Sequence, residues 1–243
     1  MALSIARRIA AQGAGAAAIA LAALTTGIVS LHAADTQSGS GAVIGDQPAD
    51  QSDQRAAGNQ AIPEVTQRAV LYEEDASNPQ GRKIDGSAVW RTETVSPGPG
   101  RPSELAARVD IKIPERGMIV TLLLRRNSDQ SLPASHVFEI TFKVPPNFPD
   151  GGVANVPGIL MKDSEQSRGK PLKGLSVKVS NGFFMIGLSA VDADQQRNLQ
   201  LLKDEGWFDM PLYYTDGERA IVAVQKGRTG ARVFTDAFAA WGQ

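Results

Sequence analysis

A two-residue Asn181-Gly182 step separates two apolar runs, Leu175 to Ser180 and Phe183 to Ala190. Asn-Gly supplies the positive φ angles of a two-residue hairpin turn, so the flanking runs read as paired antiparallel strands. The turn would oppose Val179 to Phe184, Val177 to Ile186 and Leu175 to Leu188 on one face, with Ser176, Lys178 and Ser180 on the other. Asp216-Gly217 predicts a second such hairpin, between Met210–Thr215 and Glu218–Lys226.

The segments between these turns are strand-like as well. Leu105, Ala107, Val109, Ile111 and Ile113 alternate with Ala106, Arg108, Asp110 and Lys112, the pattern of a half-buried strand with a polar outer face. Pro114-Glu115-Arg116-Gly117 turns the chain, and Met118 to Leu124 is apolar on nearly both faces, as in a central strand. Lys83 to Glu93 and Ser135 to Val144 are further strands.

Two helices come late. Asp192 or Asp194 would cap Gln195 to Glu205, with Leu199 and Leu202 inward and Gly206 as stop. Phe234, Ala237, Phe238 and Trp241 recur at helical spacing near the C-terminus. Roughly nine strands with two late helices predict an α+β domain, mainly antiparallel and sandwich-like, over residues 64–243.

The start of the chain is different. Residues 1–33 hold Arg7 and Arg8, then the uncharged run Gly13 to Leu31, 19 residues long. As a helix that run spans ~28 Å, close to a bilayer core. It lacks the polar stripe of a globular helix. Export is expected, and two fates stay open. Leu31-His32-Ala33 is an imperfect small-x-small cleavage site, and the alternative is retention as a membrane anchor. The Arg7-Arg8 pair is followed by Ile-Ala-Ala-Gln, and with no cofactor to load the general secretory route is the default. Residues 34–63 are poor in large apolar side chains and read as a flexible polar linker with a reach of ~30 Å.

Composition removes several chemistries. The chain has no cysteine, which excludes disulfides, iron–sulfur clusters, thiolate zinc sites and lipid acylation at a cysteine. A net charge of −1 gives no electrostatic footprint for nucleic acid. Without Arg7 and Arg8 the remainder carries 23 basic against 26 acidic side chains, mildly acidic. Calcium loops, phosphate loops, dinucleotide fingerprints and Gly-x-Ser-x-Gly do not occur, and neither a metal nor a cofactor is expected.

A few residues could carry chemistry. His136 is the one histidine of the exported part, but a strand places it with Phe138, Ile140 and Phe142, apart from Ser135. Ser167 and Lys170 match a Ser-x-x-Lys spacing, yet Gly169 and Pro171 hold the lysine in a loop. Carboxylates at Glu73–Asp75, Asp192/Asp194 and Asp204-Glu205 could serve a glycosidase only if two faced each other across a cleft. Trp207, Tyr213 and Tyr214, with Arg219 beside the second turn, could form a ligand platform, or could be core. These features describe an exported, envelope-located module, periplasmic or anchored facing the periplasm, that binds or scaffolds rather than catalyses. Its partners would be the membrane, if the helix is uncleaved, and an envelope protein or polysaccharide. The competing class is a small periplasmic hydrolase acting on cell-wall or extracellular polymer.

Overall fold

The period-two pattern builds one sheet, not two packed ones. The computed structural model describes residues 65–98, 100–129 and 131–243; the apolar run at 13–31 and the expected linker at 34–63 lie outside the described residues. In chain order the strands are β1 (Thr66–Glu73), β2 (Arg82–Val95), β3 (Glu104–Ile113), β4 (Met118–Arg126), β5 (Ala134–Lys143), β6 (Val153–Asn155), β7 (Leu160–Lys162), β8 (Lys170–Pro171), β9 (Gly174–Ser180) and β10 (Phe183–Ser189). Helix α1 (Asp192–Asp204), β11 (Trp207–Tyr214), β12 (Arg219–Gln225) and helix α2 (Gly227–Trp241) follow. The sheet order is β8-β7-β11-β12-β1-β2-β3-β4-β5-β10-β9, with β6 beside β11, and every pairing is antiparallel. A sandwich was the expectation. Instead one curled sheet wraps the core, because its inner face is filled by helix rather than by a second sheet.

Helix α2 supplies that filling. Phe234, Ala237, Phe238 and Trp241 are buried, as the spacing predicts, and Val233 is buried with them. Phe234 stacks on Phe208 at 5.6 Å and meets Trp90 at 5.5 Å. Trp90 Nε1 donates to the Gln225 carbonyl (2.9 Å) and Trp241 Nε1 to that of Leu105 (2.7 Å), so both indoles are buried without an orphaned donor. Each such side chain contributes about 1.5–3 kcal/mol of burial. Among the described residues no helix is long and apolar enough to cross a membrane.

Helix α1 starts earlier than expected. Its N-cap is Val191, neither Asp192 nor Asp194 caps it through a side chain, and its end at Glu205 is extended rather than a glycine stop. Leu202 is buried, Leu199 is half-buried, and Asn198 is buried with them. Asn198 Oδ1 accepts the Lys173 amide and its Nδ2 donates to the Lys173 carbonyl, both at 2.8 Å. That clamp holds the two-residue junction between β8 and β9, strands at opposite ends of the sheet order. Ser176 Oγ donates to the Val156 carbonyl (2.5 Å), tying β9 to the chain beyond β6.

Three local expectations are corrected. β4 is central by pairing, but only Met118, Val120, Leu122 and Leu124 are buried; Ile119 is 41% exposed. At Asn181-Gly182 the turn forms, pairing Ser180 with Phe183, but the next pair is Phe184 with Lys178. The bulge at Val179 turns Leu175 and Val177 to the outer face with Met185, while Phe184, Ile186 and Leu188 join the core. Around Asp216-Gly217 the loop has three residues, not two: Tyr214 N bonds Glu218 O, and Gly217 is left-handed at φ 98°. Tyr213 therefore opposes Arg219, and Leu212 opposes Ala220.

Candidate functional site

Alternation along β11 divides the aromatics that lie together in sequence. Phe208, Met210, Leu212 and Tyr214 point into the core, while Trp207 and Tyr213 lie on the outer face, ~20 Å apart along the strand. The two ends of that outer face have different covers.

At the Trp207 end, Val70, Trp207 and Ala223 form a small buried cluster with Tyr72 packed against it. The β7–β8 loop is fixed here through Glu165. Its carboxylate accepts from Tyr72 Oη (2.5 Å), Arg68 Nε (3.0 Å) and Lys83 Nζ (3.0 Å). The hydrogen bond from Tyr72 and the two cations hold the Glu165 carboxyl down at about 2. The buried Lys162 donates to the Glu165 carbonyl (2.6 Å) and pairs with Asp209 (2.8 Å), whose own carboxyl is raised by burial. Trp207 is thus a covered residue, 8% exposed.

The Tyr213 end is open. Tyr72, Pro211, Tyr213 and Ile221 line a cleft of about 870 Å³ whose walls are the β1–β2 turn and the β11–β12 turn. Tyr213 is 40% and Ile221 38% exposed. Arg219 stands in the cleft paired with Glu74, which holds the Glu74 carboxyl low and the guanidinium high. Tyr214 lies behind the cleft, fully buried, its hydroxyl donating to Glu73 (2.7 Å). Arg116 Nε approaches Glu73 at 3.0 Å, pairs also with Asp150, and stacks on Phe148 at 4.6 Å. Burial and the Glu73 carboxylate push the Tyr214 phenol far above its ordinary range. This network is a brace for the turns that wall the cleft.

Carboxylates gather at one wall. Oxygens of Asp150, Asp216 and Glu218 lie within 4.8 Å of one another, a donor set of the kind that holds a hard cation. Asp150 is already engaged by Arg116, and Asp216 accepts the Glu218 amide at 3.0 Å. Lost solvation, then the carboxylates of Asp216 and Asp150, raise Glu218. Sequence spacing gave no sign of this grouping, because Asp150 comes from a loop far away in the chain.

The remaining candidates are placed elsewhere. Ser167 Oγ donates to the Ser164 carbonyl (3.0 Å), and Lys170 Nζ pairs with Glu205 (2.6 Å), so the two are not joined. His136 is 1% exposed, with Trp241 at 5.1 Å and Nε2 3.0 Å from Gln243 Oε1. Contrary to the regular-strand expectation, Ser135 Oγ reaches His136 Nδ1 at 3.1 Å. The pairing with β10 slips here, His136 opposing Leu188 and Ala134 opposing Ser189, and the extra residue Ser135 is re-aimed. Ser135 also donates to the Ser189 carbonyl (3.1 Å), and burial lowers His136 to about 4, too weak a base to activate a hydroxyl at neutral pH. Comparison with protein families, curated proteins and solved structures finds no match for this chain.

Proposed function

We propose that the chain is an exported, envelope-located binding or scaffolding module whose ligand site is the cleft between the β1–β2 and β11–β12 turns. The observation that carries this reading is the open outer-face floor of Tyr213 and Ile221, walled by two turns that the Tyr214–Glu73–Arg116 network braces from behind. Rigid walls around a partly apolar floor are what a preformed binding site requires. Tyr213 and Arg219 are its ligand-facing residues. Tyr214 supports it, and Trp207 belongs to the covered cluster. An envelope protein or a polysaccharide fits the exported location that the N-terminal run implies. Two measurements test the proposal. A reporter enzyme that is active only in the periplasm should be active when fused after Gln243. The envelope component retained by the wild-type protein should be lost with Tyr213→Ala/Ile221→Asp at unchanged thermal midpoint; equal retention would remove the cleft from the reading.

A second reading, a small periplasmic hydrolase, is favoured by the approach of Asp216 to Glu218 and by the raised Glu218 carboxyl, features of a general acid beside a second carboxyl group. Both acids stand on one turn rather than on facing walls. Release of reducing ends from cell-wall polymer, abolished by Glu218→Gln, would establish the hydrolase; the binding reading expects none.

A further inference from the structure

The charge of the cleft does not follow from the charge of the domain. Of 25 basic and 26 acidic side chains, three and five precede Val65, leaving 22 against 21 in the folded part. Yet the cleft lining holds Glu73, Glu74, Asp75, Asp216 and Glu218 against Arg219 alone. Glu73 is committed to Tyr214 and Arg116, and Glu74 to Arg219. Among the described residues, Asp75, Asp216 and Glu218 are in no ion pair, although they stand at the mouth of an aromatic-floored cavity.

Resting on the reading of this cleft as the ligand site, we propose that it takes a cationic peptide segment, with an Arg or Lys head at the Asp216 and Glu218 carboxylates and the rest of the segment laid over the Tyr213 and Ile221 floor. A cation beside carboxylates gains charge-assisted hydrogen bonds, while the apolar stem of an Arg or Lys covers aromatic surface. The outer face already holds one cation of its own in such surroundings: Lys83 lies 5.6 Å from the Tyr72 ring while bonded to Glu165. A volume of about 870 Å³ exceeds the needs of a single amine and suits several residues of an extended peptide. The raised Glu218 carboxyl agrees, since an arriving cation relieves the repulsion that opposes its ionisation.

The test uses purified full-length protein and a labelled Gly-Arg-Gly-Arg-Gly peptide, read by fluorescence anisotropy. Its Glu counterpart and a neutral gluco-oligosaccharide serve as competing probes. The Arg peptide should bind most tightly, and weaken about tenfold with Asp216→Asn/Glu218→Gln and again at high salt. Asn at 216 keeps the acceptor for the Glu218 amide, and circular dichroism confirms folding. Tyr213→Ala should weaken it as well. If the oligosaccharide or the Glu peptide binds in a Tyr213-dependent manner and the Arg peptide does not, the cationic class is overturned and the cleft stands. Arg-peptide binding indifferent to all three substitutions overturns the cleft itself, and no binding by any probe overturns both.

Discussion

Burial decides the charge state of His136. Its folded value of about 4 lies below the ordinary 6.5, so between these pH values the unfolded chain binds a proton that the folded chain does not. Stability therefore rises with pH across that window and is lost as pH falls from 6.5 through 4. The shift corresponds to about 3 kcal/mol. Urea unfolding at pH 7 and at pH 4.5 should show wild type losing more than His136→Gln, with the difference between the two proteins isolating this residue from the carboxylates. A variant with the same pH slope would contradict the assignment. Two aromatics on one strand make a matched pair for a second prediction. Trp207→Ala should cost ~3–5 kcal/mol, whereas Tyr213→Ala should cost ~1 kcal/mol or less, because its ring is already partly in solvent. Denaturant midpoints measure both. Trp207 follows the helix end in sequence, but it is buried by the outer-face cluster of Val70, Ala223 and Tyr72, which its place in the chain does not show. The cross-strand partner of each tyrosine was not legible, because a left-handed Gly217 adds one residue to the turn and sets Tyr213 opposite Arg219.

Among the elements, the β7–β8 loop depends on one carboxylate. Glu165→Gln keeps an acceptor for Tyr72 but removes the charge that Arg68 and Lys83 share. We expect ~1–2 kcal/mol of destabilisation and faster amide exchange over residues 163–169, with exchange of β2–β5 unchanged. Uniform acceleration would mean that the loop is not an independent unit. Asn198→Ala should cost ~2–3 kcal/mol, since both backbone groups of Lys173 lose their side-chain partners. The strands themselves were legible from their alternation, as in β3, and so was the Asn181-Gly182 turn. Register past that turn was not. Gly182 O accepts the Phe142 amide (2.7 Å) and Phe184 packs edge-on to Phe142 at 5.8 Å, so a third strand, β5, fixes where β10 sits and forces Val179 out as a bulge.

For the molecule as a whole, the antiparallel class could be read from turns and periodicity, but its arrangement as one curled sheet could not. The pairings that decide it, β1 with β12 and β5 with β10, join segments far apart in the chain, which local pattern does not specify. The cleft shares this origin, its walls coming from turns near residues 75 and 216. Because α2 fills the inner face, ending the chain at Lys226 should leave strand content but lose fixed packing. Far-UV dichroism would be largely retained, with near-UV signal lost and a hydrophobic dye bound. The junction of β8 and β9 has a further consequence, for folding. The two strands that end the sheet are two residues apart, so both rims are completed when the single stretch 170–180 seats. Until then, each rim is an unpaired row of backbone donors and acceptors open to a second chain. Whatever delays the docking of that stretch therefore lengthens the exposure of the β7 and β10 edges at once.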